Sequence, residues 1–406
     1  MQHDYDIIIA GGGMVGASLT AALAPLNLRV AVIEAHAPAS DNQPSYDDRT
    51  TAISHGSRQI FSGMQVWPEL ERDAVPILEI HVSDKGRFAF TRITAQEQGI
   101  DALGFTIVNR VLGAGLWAFL KRASNVDLIC PAKVKAVTTN LDQAIATINR
   151  DDGNESQISA RLLIAADGAR SELRRLMGIG ARDWDYGQTA IITNVTPARH
   201  HANVAFERFT DTGPLAVLPM SGQRCGIVWT VGTESAPALL DLDENAFLAA
   251  LNTQFGSRLG GFSEIGRRVS YPLTLTQSEE QARSRFLVVG NAAHGLHPVA
   301  AQGFNLSLRD IAALAEVIAD NIAGDFGSRA VLDRYQSWRH NDQRKVVAFS
   351  DGLVRLFTNP LRSARLLRNI GMLALDMLPA AKREFARHTM GRAGRQTRLA
   401  RGLPLQ

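Results

Sequence analysis

The chain has 406 residues, more than one ordinary hydrophobic core accommodates, and the usual length of roughly 150 residues per domain favours two or three structural units. Hydrophobic residues make up 45% and charged residues 20%, a balance that excludes a disordered protein. No apolar run reaches the roughly 18 residues of a membrane-spanning helix, and Asp4 and Asp6 lie where a signal peptide would be basic and apolar. We therefore expect a cytoplasmic location.

Cysteine and charge patterns restrict the partners. Cys130 and Cys225 are far apart and lack a C-x-x-C spacing, so we expect reduced thiols in or near the core, without a disulfide framework or a metal site. Residues 355–401 contain eleven Lys and Arg against Asp376 and Glu384, which makes this end of the chain strongly basic. That asymmetry favours an anionic partner, but nucleic acid is not expected because no nucleic-acid motif accompanies the arginines.

The first 34 residues predict one βαβ unit. Residues 5–10 form a short apolar run, a glycine-rich segment follows at 11–16, and apolar residues then recur at helical spacing. Residues 29–34 predict a second buried strand that ends in an acid.

Gly11, Gly13 and Gly16 form a G-x-G-x-x-G pattern between the first predicted strand and helix, and Glu34 follows about twenty residues later. Gly11 permits a tight turn, Gly13 lets the backbone approach a pyrophosphate, and Gly16 lets the helix pack on the strand. Glu34 is placed to accept hydrogen bonds from the ribose of an adenosine, which favours FAD or NAD over NADP. The alternative is a glycine-rich turn without a ligand.

Beyond this unit, strand-like and helical patterns alternate along the chain. The runs between about 185 and 282 predict a mixed sheet that forms the wall of a substrate chamber. Helical patterns cover 60–67, 110–122 and 244–255, with a long helix from about 304; strand patterns cover 77–82, 88–93, 161–166, 189–195, 204–209, 215–219, 226–231 and 286–290.

Two further motifs narrow the dinucleotide to a flavin. The first has the pattern D-G-x-x-S-x-x-R after an apolar strand, formed by Asp167, Gly168, Ser171 and Arg174. The second begins at Gly290-Asn291 and continues to Gln302-Gly303-Phe304-Asn305. Together with the glycine loop, these motifs resemble those of the group A flavoprotein monooxygenases, the para-hydroxybenzoate hydroxylase type, and the resemblance covers nearly the whole chain.

The patterns and the resemblance together predict an α/β fold with a Rossmann-like FAD-binding domain, a mixed β-sheet substrate domain and a C-terminal helical region. The expected boundaries are 1–75, 101–184 and 285–350 for the FAD-binding domain, 76–100 and 185–284 for the substrate domain, and 351–406 for the C-terminal region.

The resemblance also implies which residues contact FAD. Asp167 and Gly168 would lie in a loop that serves both FAD binding and transient NAD(P)H docking. Arg49 would lie along the flavin, and Arg110 would contact the cofactor from the start of a helix; surface charges or helix caps are the alternative roles. The remaining expected cofactor contacts are Gly290, Asn291, Gly303 and Asn305.

The loop before the long helix is the predicted catalytic segment. Pro298, Gly303 and Phe304 would face the flavin, where the helix N-terminus would stabilise negative charge on the reduced cofactor. No acid or base is assigned. His294 and His297 are candidate bases, but we expect them to be fixed by backbone contacts.

The chain departs from the family pattern at two positions. Asn291 stands where an acid is usual, and it keeps a carbonyl acceptor but loses the charge. Ala301 stands where glycine is usual, which restricts that backbone slightly.

Other stretches narrow the resemblance to one branch of the family. They are residues 206–210, 213–219, 302–310, 369–372 and 378–382. They are most similar to the ubiquinone-biosynthesis branch, which implies hydroxylation of a polyprenyl phenol such as 2-polyprenyl-6-methoxyphenol. O2 would react through a flavin C4a-hydroperoxide, with NAD(P)H or another donor supplying electrons.

Three alternatives to this activity stay open. The first is hydroxylation at another ring position or on another aromatic substrate. The second is a flavin dehydrogenase or reductase that inserts no oxygen. The third is an FAD-bound scaffold without activity of its own.

A polyprenyl phenol is almost confined to the bilayer, so the enzyme must contact the membrane or receive its substrate from a pathway protein. Residues 361–378 combine Arg362, Arg365 and Arg368 with apolar side chains, which predicts an interfacial helix on anionic lipid. The alternative is a helix that packs on the flavin domain with its arginines in solvent.

Overall fold

The computed structural model describes residues 3–38, 48–87, 90–151, 153–296, 301–358, 371, 373–374 and 376–405. The strands are β1 (Tyr5–Ala10), β2 (Val30–Ile33), β3 (Thr50–Ser54), β4 (Val75–Ile77), β5 (Glu79–Asp84), β6 (Phe90–Thr94), β7 (Gly104–Val108), β8 (Val126–Ile129), β9 (Ala132–Thr139), β10 (Ala144–Arg150), β11 (Glu155–Ala165), β12 (Ala181–Pro197), β13 (Val204–Phe209), β14 (Pro214–Pro219), β15 (Cys225–Gly232), β16 (Phe262–Ile265), β17 (Val269–Ser278), β18 (Ala282–Arg283), β19 (Phe286–Val288) and β20 (His294–Gly295). The helices are α1 (Met14–Leu23), α2 (His55–Gly63), α3 (Asn109–Leu120), α4 (Glu172–Leu176), α5 (Ala236–Leu240), α6 (Glu244–Phe255), α7 (Gln302–Ala319), α8 (Arg329–Thr358) and α9 (Pro379–Thr389).

The first sheet has the order β18-β19-β11-β1-β2-β8, and the β9–β10 hairpin extends it from β11. Strand β1 pairs in parallel with β2 and β11, which in turn pair in parallel with β8 and β19. Ile7 and Ile9 belong to the core on one face of the sheet, and Ile8 and Ala10 belong to the core on the other. Burial on both faces explains why this strand is an uninterrupted apolar run.

The parallel strands bring the sequence motifs to one edge of the first sheet. Gly11 follows β1, Glu34 follows β2, Asp167 comes shortly after β11 and Gly290 comes shortly after β19. Since the carboxyl ends of parallel strands lie at the same edge, all four loops face the same crevice, which is where open α/β sheets bind ligands.

The second sheet has the order β20-β17-β12-β15-β14-β13-β5-β6, with β16 on β12, and most of its pairs are antiparallel. Trp229 and Phe247 form part of the core between this sheet and α6. The other face of the sheet lines a large cavity. A small third sheet has the order β3-β7-β4.

The predicted elements are confirmed, but two strands are longer than predicted: β12 begins at Ala181 rather than 189, and β11 begins at Glu155 rather than 161. Helix α6 has the predicted bounds, while α2 begins at His55, before the predicted start, because the Ser54 hydroxyl accepts a hydrogen bond from Ser57 N and caps the helix. The predicted strand at 88–93 falls partly outside the described residues. Cys225 is buried and Cys130 is partly buried, and both are free thiols as predicted. None of the described helices is long and apolar enough to cross a membrane.

Candidate functional site

The loop after β1 depends on glycine because backbone atoms surround it closely. Gly11 has a φ of 105°, and a Cβ at that position would lie 2.5 Å from the carbonyl oxygen of Ala166. A Cβ at Gly16 would lie 1.8 Å from the carbonyl oxygen of Gly11, so only glycine lets α1 cross the loop here. Gly13 is the N-cap of α1. Close packing of the backbone therefore requires glycine at positions 11 and 16, in addition to the proposed binding of a dinucleotide.

Glu34 is nearly buried and is oriented by the backbone on both sides of the crevice. Its Oε2 accepts a 2.6 Å hydrogen bond from Gly12 N, and its Oε1 accepts a 2.9 Å hydrogen bond from His36 N. Each carboxylate oxygen has a second lone pair, so Glu34 can accept further hydrogen bonds from a ligand in the crevice.

The loop after β11 is fixed by its own motif residues. Asp167 Oδ2 accepts a hydrogen bond from Leu173 N at 3.0 Å, and the Ser171 hydroxyl caps α4 by accepting from Arg174 N at 3.0 Å. Asp167 Oδ1 is buried and has no hydrogen-bond partner among the described residues. Gly168 has a φ of 86°. An unsatisfied buried carboxylate oxygen that lines a cavity is a site for a ligand donor.

The turn after β19 packs against the glycine loop. Gly290 has a φ of 62°, and a Cβ there would lie 2.7 Å from Cγ1 of Val15 in α1. Asn291 is exposed and lines the cavity. Arg174 Nη1 donates a 2.6 Å hydrogen bond to the carbonyl oxygen of Ala292, which ties this turn to the loop after β11.

Asn305 makes four hydrogen bonds to protein groups and is almost fully buried. Its Oδ1 accepts from Ser54 N at 2.8 Å and from the Ser57 hydroxyl at 2.7 Å. Its Nδ2 donates to the carbonyl oxygens of Ala52 at 3.0 Å and Ala301 at 2.6 Å. The side chain therefore holds β3 and α2 against the start of α7, and it forms part of the cavity wall.

The start of α7 is open to the cavity. Ala301, its N-cap, has a φ of 51° and a ψ of 34°, the left-handed conformation for which glycine is suited. No described atom lies within 4 Å of a Cβ added at Gly303, and Gly303 and Phe304 both line the cavity. Pro298 and His297 lie outside the described residues.

Of the two predicted arginine contacts, the structure brings one to the cavity. Arg49 lines it, and the Arg49 guanidinium lies 4.5 Å from the centre of the Tyr271 ring. Arg110 is at the start of α3 but pairs with Asp48 at 3.2 Å on the surface, where both side chains are largely exposed. Arg110 is not among the cavity-lining residues.

One cavity of about 1760 Å³ unites the cofactor motifs with the second sheet and the C-terminal helices. Gly16 and Gly290 are not among its lining residues, but they shape the loops that line it. The predicted site residues that line it are Gly11, Gly13, Glu34, Arg49, Asp167, Gly168, Asn291, Gly303, Phe304 and Asn305.

Part of the cavity wall is apolar. Side chains from α8 and α9 line it, among them Phe349, Leu353, Leu356 and Phe385. Aliphatic residues from β5 and β6 line it as well, including Ile80 and Ile93. A long apolar group would be desolvated there.

The second sheet presents one continuous row of side chains to the cavity. In the backbone register, Thr91 of β6 pairs with Val82 of β5, and Val82 pairs with Glu207 of β13. Glu207 pairs with Ala216 of β14, Ala216 with Val228 of β15, and Val228 with Ile192 of β12. All six members of the row line the cavity: Thr91, Val82, Glu207, Ala216, Val228 and Ile192.

Glu207 is the ionisable member of this row. Its neighbours on the adjacent strands are Val82 and Ala216, and none of the described residues forms a hydrogen bond or ion pair with its carboxyl group. Removal from water raises the pKa of the Glu207 carboxyl from its usual range to about 7. A carboxyl group in an apolar cavity wall is a candidate for proton transfer or substrate binding.

His294 is fixed by a buried carboxylate rather than by the backbone contacts predicted for its side chain. His294 Nε2 lies 2.7 Å from Asp310 Oδ2, Arg339 Nε donates to Asp310 Oδ1 at 2.6 Å, and Gln343 Nε2 donates to Asp310 Oδ2 at 3.0 Å. Against the cost of burial, Arg339 and His294 lower the pKa of Asp310 to about 2. The cluster joins β20, α7 and α8, and its members do not line the cavity.

The sequence interpretation missed the roles of Glu207 and Asp310, although each carries a signal. Glu207 alternates with Ala205 and Phe209 in a strand pattern, so an acid shares a face with apolar residues. Asp310 interrupts a long apolar helix pattern, where an acid must be paired to be buried.

Comparison with protein families identifies one model that matches most of the chain. It is described as an FAD binding domain and matches residues 4–350. This range contains all three sheets described above.

Among characterised sequences, the ubiquinone hydroxylase UbiL of Rhodospirillum rubrum is 39% identical over 98% of this chain and 93% of its own length. The 3-demethoxyubiquinol 3-hydroxylase of Escherichia coli is 32% identical over 95% of this chain and 98% of its own length. Among solved structures, p-nitrophenol 4-monooxygenase PnpA from Pseudomonas putida has a TM-score of 0.80 at 19% identity, covering 97% of this chain and 100% of its own. This last likeness establishes the fold.

Proposed function

The chain belongs to the FAD-binding-domain family of flavin-dependent monooxygenases, and on that premise we propose that it hydroxylates the ring of a polyprenyl phenol in ubiquinone biosynthesis. The substrate would be 2-polyprenyl-6-methoxyphenol or a close analogue, with O2 as the second substrate. NAD(P)H would supply electrons by a transient visit, because the chain has one dinucleotide motif. The names of two relatives, a ubiquinone hydroxylase and a demethoxyubiquinol hydroxylase, support the pathway.

The residues at the crevice suit FAD. Gly11 and Gly13 let the backbone approach the pyrophosphate, and Glu34 can accept hydrogen bonds from the adenosine ribose. The buried Oδ1 of Asp167 needs a donor, which a hydroxyl group of the cofactor would provide. Bound FAD supplies the redox chemistry and the activation of oxygen.

Other residues would orient the flavin ring and the charge around it. Arg49 is held over the Tyr271 ring at the cavity wall, where its guanidinium can lie along the flavin. The N-terminus of α7 opens to the cavity at Gly303 and Phe304, and its partial positive charge would stabilise a reduced, anionic flavin. We assign no proton transfer to these residues.

The observation that carries the proposal is that one cavity is lined both by the cofactor loops and by a set of apolar side chains. A phenol head group has to meet the flavin, while a polyprenyl tail has to remain out of water. The apolar residues of α8 and α9, such as Leu353 and Phe385, line the part suited to the tail. A flavin reductase that reacts only at the ring edge would not need this apolar volume.

The proposed domain division follows the same cavity. Strands β1, β2, β8–β11 and β19 of the first sheet fall within the segments assigned to the FAD-binding domain. Strands β5, β6 and β13–β17 of the second sheet fall within those assigned to the substrate domain. We propose that the cavity between the two sheets is the shared active site.

Access to a lipid substrate requires a membrane surface or a carrier, and we favour the membrane. Leu373, Met377 and Leu378 are 45%, 70% and 56% exposed, just before α9. Residues 361–370, with the three predicted lipid-binding arginines, lie outside the described residues. Several tail cations are paired within the fold, for example Lys382 with Asp376, so apolar side chains would supply much of the attraction.

Product analysis tests the proposal. The purified holoenzyme is reduced with NADPH or NADH, mixed with isotopically labelled O2, and supplied with 2-polyprenyl-6-methoxyphenol, the same phenol without its methoxy group, or a demethoxyubiquinol. We expect one labelled oxygen atom in the ring of at least one product, identified by mass spectrometry. Reduction of dyes or quinones without label in the product would establish a dehydrogenase, and an unreactive flavin would establish a scaffold.

A further inference from the structure

Glu207 is a side chain of the cavity wall to which the proposed function assigns no role. In the row of six cavity-lining residues on the second sheet, five are apolar or bear a hydroxyl group, and Glu207 is ionisable. Placing a carboxyl group in an apolar wall without a partner destabilises the fold, because its charge must be desolvated. Such a cost at a cavity surface is expected where a ligand supplies the missing partner.

Strand geometry sets where Glu207 lies relative to the cofactor side. A Cβ added at Gly226 of β15 would lie 2.5 Å from the hydroxyl of Thr50, the first residue of β3. Strand β3, which directly follows Arg49, therefore contacts the second sheet at this point. Gly226 pairs with Leu218 of β14, and Glu207 is on the next strand. Strand spacing then places Glu207 roughly 12 Å along the sheet from this contact.

The surroundings of Glu207 contain few charges. Along β13 and β5, Arg208 and His81 alternate to the opposite face of the sheet, where Arg208 Nε donates to Gln254 O and His81 stacks on Phe90. Asp84 is the nearest carboxylate along β5, diagonal to Glu207 in the register.

The cavity-lining residues of α8, α9 and the C-cap of α9 are without charge, and Leu353 and Leu356 pack in one cluster with Val82 and Phe209 beside Glu207. The six residues are Phe349, Leu353, Leu356, Phe385, Thr389 and Met390. Asp183, on β12, lines the cavity and accepts a 2.6 Å hydrogen bond from the Thr276 hydroxyl. The other charged lining residues are at the cofactor loops, except Lys133 on β9. Burial is the main influence on the pKa of the Glu207 carboxyl.

We propose that Glu207 is the catalytic base of the reaction, accepting the phenolic proton of the substrate across the apolar cavity. The inference rests on the proposed function, because it takes a phenol as the ligand. An oxygen of the Glu207 carboxylate first accepts a hydrogen bond from the phenol hydroxyl. This contact gives the half-buried carboxylate a partner and positions the ring in the cavity.

The proton then moves as the ring carbon takes up an OH group from a peroxide that O2 and the reduced cofactor supply. The O–O bond breaks, and the other oxygen atom leaves with the electron pair and takes a proton from solvent. Electron density leaves the phenolic oxygen for the ring, so the O–H group becomes strongly acidic. Its proton passes to a Glu207 oxygen, and the electron pair of the broken O–H bond forms the carbonyl of a ring dienone. The proton on the newly oxygenated ring carbon is then lost to solvent while Glu207 returns its proton to the carbonyl oxygen, which restores the aromatic ring, the phenol hydroxyl and the free carboxylate.

A carboxyl group with a pKa near 7 suits this role at neutral pH. An ordinary phenol has a pKa of about 10, so full transfer in the resting complex is unfavourable, whereas transfer during oxygen insertion is favourable. The base is charged above about pH 7 and neutral below it. Turnover should therefore rise with pH through about 7 and then level off.

The first experiment reports the contact without turnover. The oxidised holoenzyme is titrated with a 4-fluorophenol that bears a short prenyl chain, and fluorine NMR follows the bound probe as a function of pH. We expect a step in the chemical shift near pH 7 for the wild type, because the probe's hydroxyl partner ionises there. Glu207→Gln keeps the size of the side chain and removes the charge, so the step should disappear while binding remains.

The second experiment measures turnover against pH. Glu207→Gln should lower kcat by about 100-fold or more and abolish the acid limb of the profile. Glu207→Leu suits the apolar wall and guards against misfolding of the Gln variant. Glu264→Gln, on exposed β16 of the same sheet, is the control and should match the wild type in both experiments.

The outcomes separate the two proposals. A step in the shift that persists in Glu207→Gln, or that is missing in the wild type, overturns the role of Glu207. An unchanged pH profile and rate in Glu207→Gln also overturns it, while labelled product from the wild type leaves the proposed function intact. A wild-type step that is lost in Glu207→Gln, with no hydroxylated product from any phenol, would support the contact and refute the hydroxylase.

Discussion

Arg174 joins two cofactor loops, because its guanidinium donates hydrogen bonds to the carbonyl oxygens of Ala292 at 2.6 Å and Ala169 at 3.3 Å. The first carbonyl is in the turn after β19 and the second is in the loop after β11. A planar guanidinium can reach both, whereas a lysine ammonium cannot. The alignment of Asp167 and Asn291 at the cavity therefore depends on Arg174, which also lines the cavity.

We expect Arg174→Lys to weaken FAD binding by about 10- to 100-fold, since losing a hydrogen bond to a charged donor costs about 1.5–3 kcal/mol. The dissociation constant is measured by flavin fluorescence as FAD is added to apoprotein. Arg175→Lys is the control, because Arg175 is exposed and pairs only with Glu172 among the described residues. Equal affinity in the two variants would contradict the bridging role.

Gly16→Ala should destabilise the protein by about 3 kcal/mol or more and abolish retention of FAD, because overpacking against backbone cannot relax locally. The new Cβ would lie 1.8 Å from the Gly11 carbonyl oxygen. Chemical denaturation and the flavin content of the purified protein measure the two effects. Gly352→Ala in α8 is the control, since its Cβ would meet no described atom within 4 Å, and it should be neutral or stabilising. A stable, yellow Gly16→Ala variant would refute this account of the loop.

Asp310→Asn should cost about 3–5 kcal/mol at neutral pH, because it leaves Arg339 buried without its full partner. The pKa of Asp310 is lowered to about 2 in the folded state, below its usual value of 3.8. The charged form thus stabilises the fold above about pH 4, and this contribution is lost as the pH falls toward 2.

Unfolding free energies of wild type and Asp310→Asn should therefore converge as the pH falls from 4 to 2. Urea denaturation across that window measures the difference. Asp333→Asn, which removes a half-exposed pair with Arg329, is the control and should change stability by about 1 kcal/mol at most. A difference that stays constant with pH would show that Asp310 is not charged in the folded state.

Ala301→Gly should stabilise the protein or leave it unchanged, unlike most substitutions of alanine by glycine. A left-handed φ of 51° costs alanine roughly 1–2 kcal/mol, and the greater freedom of glycine in the unfolded chain offsets about 0.4–1 kcal/mol of the gain. Thermal denaturation measures the sign. Ala249→Gly, at an exposed position inside α6, should instead lose about 0.5–1 kcal/mol. Comparable losses in both variants would be inconsistent with a left-handed Ala301.

The double variant Met377→Gln and Leu378→Gln should bind anionic vesicles about tenfold or more weakly than the wild type, since each buried apolar side chain contributes about 1.5–3 kcal/mol. Co-sedimentation with vesicles of mixed neutral and anionic lipid measures the partition. Leu141→Gln is the control, because Leu141 is 85% exposed in the β9–β10 hairpin, away from this segment. If the control and the double variant bind alike, a carrier protein becomes the better route to substrate.

The cofactor end of the cavity was predictable because its determinants are local in sequence. A strand, a glycine turn and a helix specify the position of Gly11, and parallel pairing brings Glu34 and Asp167 to the same edge. Each motif is a continuous stretch whose geometry follows from glycine conformations and strand ends.

The substrate end was less predictable because it depends on pairing between distant strands. Alternation shows that Glu207 shares a face with Ala205, but it does not show which face of β13 meets the cavity. That choice is made by α6, which covers the other face and buries Phe255 against Phe206. Likewise, Asn305 belongs to a family motif, but only the fold shows that its side-chain amide forms hydrogen bonds to β3 and α2.

The row of residues around Glu207 also makes the cavity wall a fixed grid. Neighbouring strands are spaced about 4.8 Å apart, and alternate residues on one strand are about 7 Å apart. Each side chain on this face therefore has a fixed position on the cavity wall. Moving the carboxyl group from Glu207 to position 216 or 82 would shift it by one strand while the backbone remains in place. On the proposed role of Glu207, moving this one carboxyl group to another strand would change which ring carbon is hydroxylated. A slip of β13 by one residue, in contrast, would turn Arg208 into the chamber and the acid out of it.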